Sequence, residues 1–532
     1  MKFVSGLTIM TAAILLAGCS QETAVEVQTE TAVAPEEVVI TRPVYPIDVS
    51  NPYDTASVPV YAGSHDAVYA HIDDNIISHV GHLQRWMRQK SISAQNVGVR
   101  DMAELVRADF EAIGFQEAEL VETEGHPGVW GYYDAGAERT LMVYMMYDVQ
   151  PVNPEDWESP PFAANIVEKP EGRAIMARGA TNQKGPQRAF LNAVESIIAV
   201  EGKLPVNLMI TAEGEEELGS PNYPQVIDQY EERLKTADGV MFPMSSQRAD
   251  GRTNLILGVK GIVYFEMSVK GGDWGGPTIA EIHGSRKAVV DSPTWRLTQA
   301  LASLVSEDGN TILVPGYYEG VRPPTEEEQR LIGGLLQNWD QDLAKKVYEV
   351  ERFIDDKSGL EVLHELIYSP TLNIDGLWSG YTGEGVKTIL PHEATAKVDS
   401  RLPVGLDPDE ALALIRKHLD DKGFTEVEIN KLSGYPASQT SVESSIAQAA
   451  IGIYSKWAAP PTANPRLAGS APFYQFTERL GLPMVPVGLG FGKGQHAPNE
   501  YYVVESDGPV LGLAEIEKAY VDLLYAFSEI SE

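Results

Sequence analysis

Acidic and histidine side chains gather in three places along the chain. Asp148 comes just after the apolar run 141–146. Glu213, Glu215, Glu216 and Glu217 come just after the run 206–210, and His496, Asn499 and Glu500 lie beyond the run 484–487. Each run has the length and composition of a buried strand. Polar side chains just past the carboxyl ends of parallel strands share one crevice. Consecutive carboxylates such as 215–217 repel one another unless a cation or a proton offsets them. That cluster therefore reads either as a solvated acidic loop or as part of a metal or acid–base centre.

The elements that must position these groups follow from hydrophobic spacing. Helical periodicity runs through Ile76, Ile77, Val80, Leu83 and Trp86, then through Met102, Leu105, Val106, Phe110 and Ile113, and again over 186–200. Short apolar runs at 141–146, 206–210, 240–242 and 484–487 alternate with helices. This alternation predicts an α/β layer with a mostly parallel sheet. The middle of the chain differs. Gly261–Lys270 alternates apolar and polar residues as a half-exposed strand does. Amphipathic helices are predicted at 293–305, 326–353 and 407–419, with a second strand at 395–399. The expected organisation is a catalytic domain split over 60–253 and 436–532, with an inserted α+β lid and dimerisation domain at 254–435.

The chain has 532 residues and a formal net charge of −35, with 76 acids against 41 bases. Such a surface repels phosphate backbones, which argues against nucleic-acid binding. At the N-terminus, Lys2 precedes a mostly apolar stretch, 3–16, and then Leu16-Ala17-Gly18-Cys19. This layout resembles a bacterial lipoprotein signal, 1–19, with Cys19 as the lipidation site. Cys19 is the only cysteine, so no internal disulfide can form. Ser20 follows it, the pattern of outer-membrane lipoproteins facing the periplasm, and 20–59 reads as an acidic flexible tether. Membrane association is expected through this lipid anchor alone.

Six motifs occur in order: Tyr144-Met-Met-Tyr-Asp148-Val-Gln-Pro151, Arg178-Gly-Ala-Thr-Asn182-Gln-Lys184-Gly-Pro186, Glu213-Gly-Glu-Glu216-Glu217-Leu-Gly219-Ser220, Arg401-Leu-Pro403, Gly469-Ser470-Ala-Pro472 and Gln495-His496-Ala-Pro498-Asn499-Glu500. Together they resemble the M20 metallopeptidases of the carnosinase-like dipeptidase group. The resemblance implies two zinc ions sharing a bridging Asp and a bridging water, a Glu as general base, and a homodimer formed through the lid. Residue by residue, Glu216 takes the place of the base. Glu217 and His496 take the places of metal ligands, and Asp148 that of the acid orienting the first ligand His. His283 resembles the lid His that reaches the partner subunit's site. Arg401, with Gly469 and Ser470, resembles the group that grips a substrate carboxylate. The resemblance also implies a cis bond between Asn182 and Gln183.

Three ligand positions depart from the family. Met146 stands at the first ligand His, Asn182 at the bridging Asp and Met244 at the remaining Asp. Thioether and amide are poor zinc donors, so the cofactor expected is no metal or a single ion. The readings left open are an amidohydrolase acting on a peptide or N-acyl amino acid with altered or absent metal dependence, and an inactive envelope peptide-binding protein or partner subunit. A soft Cu(I) site at Met146, Met244 and His496 is a third. Without cations, at least one of Asp148, Glu216 and Glu217 should have a raised pKa, and His496 should be drawn toward its charged form.

Overall fold

The computed structural model describes residues 40–530. Its ten principal strands are β1 (Glu117–Val121), β2 (Gly128–Tyr133), β3 (Thr140–Met146), β4 (Asn207–Glu213), β5 (Gly239–Pro243), β6 (Gly261–Lys270), β7 (Asn373–Ser379), β8 (Glu393–Leu402), β9 (Glu428–Tyr435) and β10 (Met484–Val487). Six of them form the larger sheet, in the order β1-β2-β4-β3-β5-β10. The neighbours β4, β3, β5 and β10 are parallel, while β2 runs against β1 and β4.

The central strands are largely apolar because both faces are covered, and the polar residues of β4, Asn207, Thr211 and Glu213, are buried with hydrogen-bond partners. Leu141, Val143 and Met145 of β3 join one core, with the helices Asp66–Arg88, Lys184–Glu201, Ser445–Trp457 and Leu513–Glu529. Met142, Tyr144 and Met146 join a second core on the opposite face, under the helix Tyr223–Leu234. The parallel arrangement brings the ends of β3, β4, β5 and β10 to one edge of the sheet, where Asp148, Glu215–Glu217 and Met244 follow.

β6 to β9 form a separate antiparallel sheet in the order β7-β8-β6-β9. Val263, Phe265, Met267 and Val269 of β6 are buried beneath the helices Pro293–Ser303 and Pro408–Asp421, so the alternation in β6 marks its inner face. The fold is thus α/β, with a mixed, mostly parallel sheet and an antiparallel insert.

Two expectations need correction. The helix predicted over 326–353 is broken into Glu326–Gln337 and Gln341–Tyr348. Asp340 caps the second helix by accepting from the Leu343 amide at 2.9 Å, a side-chain bond available only outside a helix. The second correction concerns 40–59, read as the end of a flexible tether; it is instead a packed strap. The Tyr45 amide donates to His364 Nε2 at 3.0 Å and its hydroxyl to the Val321 carbonyl at 2.9 Å. The Tyr53 amide donates to the Arg330 carbonyl at 2.8 Å, and Thr55 Oγ1 to the Pro461 carbonyl at 2.7 Å. Aromatic side chains within the polar segment anchor it. Cys19 and the signal-like stretch lie outside the described residues. Among the described residues, no helix is long and apolar enough to cross a membrane.

Candidate functional site

Asp148 is fully buried at the end of β3. It accepts the Ser93 hydroxyl at 2.7 Å and the backbone amides of Glu216 and Glu217, each at 3.2 Å. It therefore braces the acidic turn. Burial, reinforced by the Glu217 charge and opposed by these hydrogen bonds, raises its pKa to about 7. Glu213, with its partners Tyr144 and Ser220, is pushed up to about 8, chiefly by burial. Glu216 is raised well above the ordinary carboxylate range by burial, then by Glu217 and Asp148.

Glu217 is the hub of the cluster. Its Oε1 accepts Asn182 Nδ2 at 2.8 Å, and its Oε2 accepts Gln150 Nε2 at 2.8 Å. His496 Nε2 stands 3.2 Å from Oε2 and 3.3 Å from Asn182 Nδ2. The Glu217 contact draws the His496 imidazole toward its charged form, against partial desolvation. His496 sits in a left-handed turn (φ 60°).

Glu500 holds the loop that presents Asn182. Its carboxylate accepts the amides of Gly179, Thr181 and Asn182 at 2.9 to 3.0 Å and pairs with Arg178 at 2.7 Å. The peptide bond between Asn182 and Gln183 is cis, as the resemblance implies.

The two methionines lie in apolar surroundings. Met146 is buried in the cluster containing Tyr144, Trp130 and Phe476, and Met244 packs against that same cluster. Arg401 donates through Nη1 to Ser470 Oγ at 2.9 Å and through Nε to Asp399 at 3.1 Å. Ser470 Oγ donates to the Gly261 carbonyl at 3.0 Å, and the Gly469 carbonyl accepts the Lys260 amide at 3.0 Å, so this pair fastens the lid hinge. His283 is not brought to the cluster. It is exposed, and its Nδ1 lies 2.8 Å from Ser285 Oγ in the same loop.

Sequence reasoning missed the supporting residues Gln150, Ser93, Tyr435 and Tyr474. Gln150 lies within the first motif, so its nearness to the site was legible and its partner was not. Tyr435 stacks on Tyr474 at 5.6 Å. Glu216 and Arg401 both act on the Tyr435 phenol, whose pKa is raised mainly by burial.

The site thus lies where a mixed sheet delivers carboxylates to one edge, in a chain interrupted by an antiparallel insert. Residues 142–511 match Peptidase family M20/M25/M40, and the chain belongs to that family. It is 28% identical over 371 residues to the Cys-Gly metallodipeptidase dug1 of Schizosaccharomyces pombe, covering 66% of this chain and 75% of that protein. It is 30% identical over 299 residues to the Beta-Ala-His dipeptidase of Rattus norvegicus, covering 55% of this chain and 58% of that protein. Among solved structures, the M20 family metallo-carboxypeptidase Sso-CP2 of Sulfolobus solfataricus superposes with a TM-score of 0.76 at 32% identity, over 85% of this chain and 99% of that one. Human carnosine dipeptidase 1 shares the fold, with a TM-score of 0.69 at 24% identity over 87% of this chain and 100% of that one.

Proposed function

We propose that this M20 member is a dipeptidase-like amidohydrolase for a small peptide or N-acyl amino acid with a free carboxylate, and that hydrogen bonds replace its two-zinc centre. The observation that carries the reading is the closed contact of Asn182 Nδ2, Glu217 and His496 Nε2. An amide donor occupies the bridging position and satisfies an oxygen that a cation would need. The two methionines lie in apolar packing. Of the five ligand positions, only Glu217 and His496 keep ordinary zinc donors. This donor set does not fit two zinc ions.

The chain's own groups support the remaining functions. Arg401 Nη2 has no partner among the described residues and is available to a substrate carboxylate, while Ser470 and Asp399 hold the guanidinium plane. Glu216, whose carboxyl is raised above the ordinary carboxylate range by desolvation and by Glu217, is the candidate acid–base group. The loss of donors favours a second reading, in which the chain binds peptides without cleaving them, because only Glu217 and His496 remain as ordinary zinc donors to activate a water.

A panel of dipeptides and N-acyl amino acids, with metal analysis, tests the proposal. Chelator-resistant hydrolysis lost in Glu216→Gln supports it. Copurifying stoichiometric zinc, with activity abolished by chelator, overturns the metal reading. Carboxylate-dependent binding without turnover, lost in Arg401→Met, establishes the second reading.

The assembly and location belong to the same proposal. The edge strand β7 exposes Ile374, Leu377 and Trp378 by 48, 53 and 45%, which supports a homodimer through the lid, with His283 offered to the partner. Sedimentation should show the dimer. Lipidation at Cys19 and an envelope location rest on the sequence pattern, and detergent-phase partitioning lost in Cys19→Ser tests them.

A further inference from the structure

A cavity of about 610 Å³ opens in the lid and reaches Arg401. Ligand pockets commonly fall in this size range. Much of its wall is apolar, formed by Ile312, Phe353, Val362, Leu366 and Leu372. Its charged lining is the reverse of the molecule's. In a chain of formal net charge −35, the cavity is lined by four cations, Arg42, Lys260, Lys357 and Arg401, against two acids, Glu365 and Asp399.

Three of the cations are matched. Arg42 pairs with Asp355 at 2.6 Å, Lys357 pairs with Glu365, and Arg401 pairs with Asp399 at 3.1 Å. Lys260 is different. It is 1% exposed, and its Nζ donates to the Ser369 carbonyl at 2.6 Å. Among the described residues it has no carboxylate partner. The charged groups that act on it are Arg466 and Arg401, which oppose its charge, and Glu365, which favours it. Glu365 is already engaged by Lys357 and the Ser369 hydroxyl, and Arg466 by Glu328 at 2.7 Å. Burial, then Arg466 and Arg401, bring the Lys260 ammonium down to about 7. An ammonium carries three N–H donors, so two remain for a ligand.

We propose that this cavity binds a monoanionic amphiphile, a carboxylate with an aromatic or linear apolar tail. The carboxylate pairs with Lys260 and the tail lies along Phe353, Leu366 and Ile312. A single negative charge matches Lys260, the one lining cation without a carboxylate partner among the described residues, and a dianion would meet Glu365 and Asp399. A charge-assisted contact to a buried ammonium is strong because water does not compete for it. The proposal does not depend on whether the chain cleaves peptides.

The test is isothermal titration of the full-length chain carrying Cys19→Ser, so that no detergent is present, with 4-phenylbutanoate and its uncharged analogue 4-phenylbutanol. One site per chain is expected for the carboxylate, with the alcohol weaker by about tenfold or more. Lys260→Met should weaken carboxylate binding by about tenfold or more. Phe353→Ala, at a loop position on the cavity wall, should weaken both probes. Absence of binding below about 10 mM overturns the proposal, as does unchanged affinity in Lys260→Met or Phe353→Ala. Equal affinity for the alcohol overturns the anionic class.

Discussion

Asn182→Asp probes the contact on which the proposed metal-free site rests. The wild-type amide donates to Glu217 Oε1 at 2.8 Å. The substitution exchanges that donor for a second carboxylate. Two unit charges at the 2.8 Å separation repel by ~6 kcal/mol at an effective dielectric of about 20. Proton uptake caps the cost, since holding a carboxyl neutral at pH 7 against an ordinary pKa near 4 takes about 4 kcal/mol. His496, 3.3 Å from the Asn182 amide, offsets part of this when charged, leaving about 2–4 kcal/mol. At about 2.1 cal/mol/K per residue, unfolding a chain of this length carries an entropy of ~1 kcal/mol/K, so Tm should fall by about 2–4 °C. Scanning calorimetry at pH 7 in EDTA reads the loss. The introduced carboxylate joins Glu217 and His496 in a set of three zinc donors, so added zinc should restore Tm in the variant and leave the wild type unmoved. A variant as stable as the wild type in EDTA would show that the Asn182–Glu217 contact is not made. An equal zinc response in the wild type would refute the account of its donors.

Restoring all three positions with Met146→His, Asn182→Asp and Met244→Asp should yield a chain that retains zinc through dialysis, measured by elemental analysis, and gains chelator-sensitive dipeptidase activity. The pKa shifts set a pH dependence. Glu213 and Asp148 are raised to about 8 and about 7 in the folded state, so that state holds protons the unfolded chain has lost. Stability should fall as pH rises from about 4 to about 8. Urea midpoints at pH 5 and pH 8.5 should differ in that direction, and Glu213→Gln should shrink the difference. Arg466→Met removes one partner of the buried Glu328 pair, whose side chains are 1 and 2% exposed. Glu328 keeps Arg322 at 2.8 Å, so the cost read by urea unfolding should fall below the ~3–5 kcal/mol of a buried charge left unpaired, and Arg322→Met in the same chain should add to it. Removing the strap, comparing a chain begun at residue 60 with one begun at residue 40, should lower Tm measurably, because Tyr45 and Tyr53 anchor the segment.

The sequence by itself determined what depends on local pattern and on chemical identity. The apolar runs within β3, β4, β5 and β10 were legible because a strand covered on both faces needs apolar residues at most positions. The inner face of β6 was legible from its alternation. That Met146, Asn182 and Met244 are poor zinc donors is a statement about donor atoms and needs no coordinates. The broken helix at 338–340 was not legible, because the apolar spacing continues through the break and only the Asp340 cap reveals it. The strap was not legible either, since its polar composition hides a few aromatic anchors whose partners lie hundreds of residues away. The site divided in the same way. That Glu217 and His496 belong together was readable from motif order, but the means of balancing Glu217 was not. That balance depends on Gln150, Asn182 and His496 meeting two oxygens within 3.2 Å. Likewise, one carboxylate, Glu500, holds the distant loop 178–182. Such contacts are set by distances between residues far apart in the chain. Periodicity carries no information about them, and the packing of the sheet edge decides them.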